Sequence, residues 1–197
     1  VGSSLFQLVK DAKAGYLATT STDEELCLSL GADRVIDYRK TNWCEEEEYK
    51  AKPFDAVIDC VGSRDEWKQA YKHGVLKSAW NGGTFVSIAS TDDPQFHTIW
   101  QGVKMFVPLL WRAGWTRVNR LRPRYSLVIS SVTAKNLAEV AGLVSSDRLK
   151  PVLDRRSPFP FTIEGVQAAF HLQASKHAHG KVVVAVLGAD RVAAAAK

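Results

Sequence analysis

The chain has 197 residues, 46% hydrophobic and 24% charged, with a formal net charge of +5. That length and balance suit one ordinary domain with a real core and exclude a disordered or low-complexity chain. No apolar run reaches the roughly 18 residues that a membrane-spanning helix needs. Cys27, Cys44 and Cys60 lie far apart without metal-ligand spacing, which excludes a disulfide framework and a zinc knuckle. They point to a reducing, intracellular compartment, without separating cytoplasm, mitochondrion and plastid. His177 and His179 are close, but H-A-H without neighbouring cysteines or carboxylates is a poor metal site, so no metal is expected.

In chain order, strand and helix signals alternate. The first residue is Val1 rather than Met, and no charged-then-apolar leader follows it, which leaves a processed terminus, a cut chain or a piece of a longer one. Residues 4–13 have helical spacing (Leu5, Leu8, Val9, Ala12) and residues 16–20 read as a short strand. Thr22 and Glu25 form a capping-box pattern that opens a helix through Leu30, ended by Gly31. Residues 34–38 are the next strand, and the acidic run 45–48 is a solvated turn or short helix. Residues 54–60 form a buried-type strand ending at Gly62, 64–77 a helix, and 82–89 a turn entering another strand.

Residues 92–123 break the rhythm as an aromatic and basic insertion. Pro108 argues there against one uninterrupted helix. Beyond it come strand 125–130, helix 136–144, an extended piece at 151–153, helix 163–173 and strand 181–187. An Ala-rich tail occupies 189–197 after a domain at 1–188. The alternation predicts an α/β fold, a doubly wound parallel sheet covered on both faces.

Charge is uneven. From residue 94 to 138 there is no acid, but there are Lys104, Arg112, Arg117, Arg120, Arg122, Arg124 and Lys135. Such a block suits phosphate, RNA or an anionic membrane surface; its plainer reading is a solvated face or an acidic neighbour in an assembly. The aromatic stretch suits a cleft cover or a homo-oligomer contact.

Five segments occur in one order: LGADRVIDY at 30–38, FDAVIDCVG at 54–62, GGTFVSI at 82–88, GVQAAF at 165–170 and GKVVV at 180–184. Together they resemble the medium-chain dehydrogenase/reductase superfamily, in its zinc-free quinone-oxidoreductase branch. The resemblance implies a Rossmann-type domain preceded by a GroES-like barrel, with a first strand ending in an A-x-G-G-V-G loop. Val1 and Gly2 look like the end of that loop. The barrel and the first strand are then expected to be absent, leaving strand neighbours unpaired and the residues poorly stable and inactive alone.

The same resemblance implies NADPH as hydride donor to a quinone or an activated carbon–carbon double bond. Gly2, Ser3 and Ser4 open a helix whose amides suit the pyrophosphate, although Ser3 also suits a plain cap. Thr20, Ser21 and Thr22 end the second strand, where hydroxyls admit a 2′-phosphate and an acid would favour the 2′-hydroxyl of NADH. Asp23 dissents from the NADPH reading. Tyr38 matches a tyrosine beside the adenine, or is a strand-end aromatic packed on a helix. Cys60, Val61 and Gly62 pass the ribose, and Cys60 reads as a small buried residue. Ala89, Ser90 and Ser130 end the strands near the nicotinamide, and Lys176 is either a cofactor contact or a surface lysine. No catalytic residue is identified. Two other readings stay open: a non-catalytic subunit using the fold for binding, and a fold that has lost its cofactor.

Overall fold

Short β-forming runs closed by glycine, serine or aspartate become parallel strands in the computed structural model of the chain. It describes residues 2–62, 65–88, 99–128, 133–175 and 177–186. The elements are α1 (Gly2–Asp11), β1 (Ala18–Thr20), α2 (Glu24–Ser29), β2 (Arg34–Ile36), α3 (Glu47–Ala51), β3 (Ala56–Asp59) and α4 (Glu66–Lys72). They continue with β4 (Thr84–Ser87), α5 (Ile99–Val118), β5 (Arg124–Leu127), α6 (Ala134–Ser145), β6 (Phe159–Pro160), α7 (Ile163–Ala174) and β7 (Val184–Ala185). The chain divides into two units, Val1–Ile36 with Thr133–Lys197, and Asp37–Val132.

In the first unit β1 pairs with β2 in parallel, with Thr20 opposite Ile36, and β6 pairs with β7. Cys27, Ala32, Ile36, Leu149, Ala169 and Leu172 are its buried apolar residues. Side chains tether α1: Gln7 exchanges hydrogen bonds with the Lys150 backbone (2.9 and 2.7 Å), and Asp11 accepts from Arg148. Lys10 and the Leu17 amide both donate to Asp33 at 2.7 Å.

In the second unit β3, β4 and β5 form a parallel sheet in that order, with Asp59, Ser87 and Leu127 level at one end. Its core holds Cys44, Tyr49, Trp67, Val75, Phe85 and Tyr125. A doubly wound sheet runs 3-2-1-4-5-6. By connection β1 and β2 match positions 2 and 3, and β3, β4 and β5 match 4, 5 and 6.

Several sequence expectations need correction. Thr22 does not cap α2. Asp23 does, its Oδ1 accepting from the Leu26 amide at 3.1 Å. A carboxylate suits the positive end of the helix better than a hydroxyl. Strand 34–38 stops at Ile36, because Asp37 accepts from the Arg39 amide (3.1 Å) and turns the chain. Tyr38 therefore sits on a turn, 55% exposed, rather than packed on a helix.

Residues 99–118 form one helix with Pro108 inside it. Pro108 and Lys104 are both exposed, so the carbonyl that loses its amide partner faces solvent. Strand β6 escapes the sequence reading altogether. It is two residues long, ends on proline, and exists through its pairing with β7.

Three glycines of the recurring segments mark close backbone approaches. A Cβ on Gly83 would lie 1.7 Å from the Lys77 carbonyl oxygen, and one on Gly165 would lie 2.2 Å from that of Pro160. At Gly180 it would meet the Leu153 carbonyl carbon at 2.5 Å.

Candidate functional site

In parallel α/β sheets, ligands bind beyond the carboxyl ends of the strands. The first unit carries Gly2, Ser3, Ser4, Thr20, Ser21 and Thr22 of the expected site; the second carries Tyr38, Cys60, Val61 and Gly62. Ala89, Ser90, Ser130 and Lys176 lie outside the described residues.

In the first unit Gly2 begins α1, whose first turn has no acidic residue. A Cβ at Gly2 would meet no atom within 4 Å, so the backbone there is open to close approach. Ser21 extends the β1 ladder, its amide donating to the Ile36 carbonyl at 3.0 Å. Its hydroxyl accepts from the Asp23 amide at 3.1 Å. The same hydroxyl hydrogen-bonds the Cys27 thiol, opposing the stronger upward push of burial on that thiol's pKa. Thr20 and Thr22 are exposed beside it.

Asp23 is the residue that decides the electrostatics of this strand end. Its side chain is only 14% exposed. While Oδ1 caps α2, Oδ2 lies 3.3 Å from His179 Nδ1 and 3.8 Å from the Arg155 guanidinium. Arg155 also lies 3.8 Å from Glu25 Oε2. His179 is itself placed by its amide, which donates to buried Asp154 at 2.9 Å. Burial pushes Asp154 up, but the Arg156 and His179 amides and the Arg156 guanidinium prevail and hold its pKa below the usual carboxylate value.

In the second unit the turn after β3 is organised by Asp59. Its Oδ1 accepts from the Val61 amide at 2.9 Å and the Gly62 amide at 2.8 Å. Those amides are therefore engaged by Asp59, and Gly62 (φ +88°) turns the chain away. Burial pushes the Cys60 thiol up, and Cys44 is pushed to about 12 by burial and then by the charges of Glu66 and Glu45. Both are neutral thiols at ordinary pH, not activated nucleophiles.

The residues fit a dinucleotide in three respects: open backbone at Gly2, hydroxyls at the β1 end, and an acid there whose oxygens already face the Leu26 amide, His179 and Arg155. Sequence reasoning missed Arg155, Asp154 and the role of His179. They lie more than 130 residues from Asp23, and only their contacts reveal them. Among the described residues no group of three or more His, Cys, Asp or Glu side chains is placed to hold a metal ion.

Residues 30–184 match the family described as zinc-binding dehydrogenase. The chain belongs to that family. It thereby falls in the medium-chain dehydrogenase/reductase superfamily, as part of the nucleotide-binding portion. This dehydrogenase-family chain is 31% identical over 199 residues to human "NAD(P)H oxidoreductase RTN4IP1, mitochondrial", covering 95% of the chain and 46% of that protein. It is 30% identical over 187 residues to the "NADPH-dependent alkenal/one oxidoreductase, chloroplastic" of Arabidopsis thaliana, covering 93% and 37%. The chain thus spans half or less of the curated relatives it matches. Among solved structures, the quinone oxidoreductase from Coxiella burnetii superposes with a TM-score of 0.65 at 23% identity, over 95% of this chain and 50% of the other. That likeness establishes the Rossmann-type fold.

Proposed function

We propose that this chain is the nucleotide-binding part of an oxidoreductase that passes hydride from NADPH to a quinone or an activated carbon–carbon double bond. One observation carries the choice of NADPH. The carboxylate at the end of β1 is held by the Leu26 amide, His179 and Arg155, and is unavailable to a ribose hydroxyl. A 2′-phosphate would meet the Thr20, Ser21 and Thr22 hydroxyls with the Arg155 guanidinium and the His179 imidazole behind them, rather than a bare anion. The human relative's name supports a nicotinamide nucleotide, and the Arabidopsis relative's name supports NADPH with an alkenal or alkenone acceptor.

The cofactor supplies the hydride; the chain's residues bind and orient it. The α1 terminus at Gly2, Ser3 and Ser4 offers amides to the pyrophosphate. Tyr38 offers an exposed ring to the adenine, and the backbone at Cys60, Val61 and Gly62 flanks the ribose. With the Val61 and Gly62 amides engaged by Asp59, that contact runs through carbonyls and the glycine surface. Ala89, Ser90, Ser130 and Lys176 complete this assignment, and residues 1–188 act as one binding domain. The acceptor is a small molecule, and the relatives' organellar names fit an intracellular setting.

The test is a titration of the full-length protein with NADPH and with NADH, followed by nicotinamide fluorescence. Tighter NADPH binding is expected. Equal or tighter NADH binding sinks the proposal.

A further inference from the structure

Among its described residues, helix α5 is fastened through Arg112 and Thr116. Buried Thr116 donates to the Arg112 carbonyl and accepts from the Tyr125 amide, each at 3.0 Å. The Arg112 guanidinium lies 5.0 Å from the Trp67 ring centre and 5.1 Å from that of Tyr125. The opposite side carries Val107, Leu110, Trp111, Trp115 and Val118 at three- and four-residue spacing, all exposed. They line a shallow apolar groove. Trp100 extends the stripe at 75% exposure, and Trp111 and Trp115 stack at 6.1 Å. Lys104 sits within this face and Arg117 on its margin, both exposed.

We propose that this face of α5 lies on an anionic lipid bilayer surface. An interfacial helix combines an apolar face bearing tryptophan with cations and no opposing anions. Residues 94–138 contain no acid, so the complement this surface requires is a negative one. A second copy docked here by two-fold symmetry would set the Lys104 and Arg117 cations of one copy against those of the other, with no carboxylate on the helix to separate them. Single-stranded RNA calls for arginines beside free stacking rings. Here Arg112, Arg120 and Arg122 already lie over Trp67, Trp80 and Tyr71. Among the described residues no helix is long and apolar enough to cross a membrane; the placement that suits an amphipathic helix of this kind is the headgroup layer. The proposal does not depend on the cofactor assignment.

The experiment is co-sedimentation of the full-length protein with phosphatidylcholine vesicles, with and without phosphatidylserine. Expected are binding to the anionic vesicles alone, weakening with salt, and tryptophan quenching by lipids brominated in their acyl chains. Lys104→Gln with Arg117→Gln should weaken binding on the order of 30-fold, at about 1 kcal/mol for each cation. Trp111→Ala with Trp115→Ala should abolish it, whereas the two Trp→Phe changes should retain it and reduce the quenching. Unfolding midpoints and nucleotide affinity are expected to stay unchanged in all three variants; loss of fold in the alanine variant leaves the phenylalanine and glutamine variants to decide. Absence of binding, or binding indifferent to salt and to these changes, overturns the proposal. So does a dimer dissolved by the tryptophan changes, or RNA binding lost with the cations but not with the tryptophans.

Discussion

The Asp23 carboxylate is engaged on both oxygens: one accepts from the Leu26 amide, and the other faces His179 at 3.3 Å and Arg155 at 3.8 Å. Its charge is thereby spent inside the first unit. Replacing both Arg155 and His179 by alanine would leave a bare carboxylate at the end of β1. NADPH affinity should then fall about 3- to 10-fold, as expected for losing exposed ion pairs. NADH affinity should change little, and paired fluorescence titrations read the difference. An equal fall for both nucleotides would mean that these residues act through the fold and not on the 2′-phosphate. The hydroxyl run at 20–22 and the dissent of Asp23 are both legible in the sequence. The answer to that dissent is not, because Arg155 and His179 are distant in the chain and their residue types carry no motif.

At the scale of elements, glycine spacing proves more informative than hydrophobic rhythm. Gly165 lets α7 approach the β6 backbone, where any Cβ would strike the Pro160 carbonyl. Gly165→Ala should cost roughly 1–3 kcal/mol in urea unfolding, as overpacking does. Gly142→Ala in α6 is the matched control, since its Cβ would meet nothing within 4 Å. It should be neutral or mildly stabilising by helix propensity. If the two substitutions behave alike, close packing is not what holds residue 165 as glycine. The sequence identifies α7 and its glycine from local pattern, but not β6, whose two residues carry no alternation to read. Pro108 misleads in the opposite direction: its cost falls on a solvent-facing turn, and the anchorage of Arg112 and Thr116 keeps α5 continuous.

For the whole molecule, acid should be the weak side. Asp11 is held below the usual carboxylate value by its hydrogen bond from Arg148, Asp33 by that from Lys10, and Asp37 by that from Arg39. Asp154 joins them despite its burial. A depressed folded pKa contributes stability that is complete above the unfolded value, near 3.8, and is lost as pH falls through the folded one. The thermal midpoint should therefore drop below about pH 4. Asp154→Asn should lower it at neutral pH and flatten that acid limb; an unaltered limb would assign the acid sensitivity elsewhere. The α/β class and the parallel pairing follow from the strand–helix alternation. The division into two units does not, since it depends on which strands find neighbours.

The bond from the Tyr125 amide to Thr116 has one more consequence. Strand β5 borders its three-stranded sheet, and the amides of Arg124 and Val128 are turned toward β4. That leaves Tyr125 presenting its amide to the outside, where Thr116 takes it. Open sheet borders recruit other chains into aggregates. Here the Thr116 hydroxyl occupies the amide at the middle of that border, so Thr116→Val should leave it open to another chain and raise aggregation in light scattering.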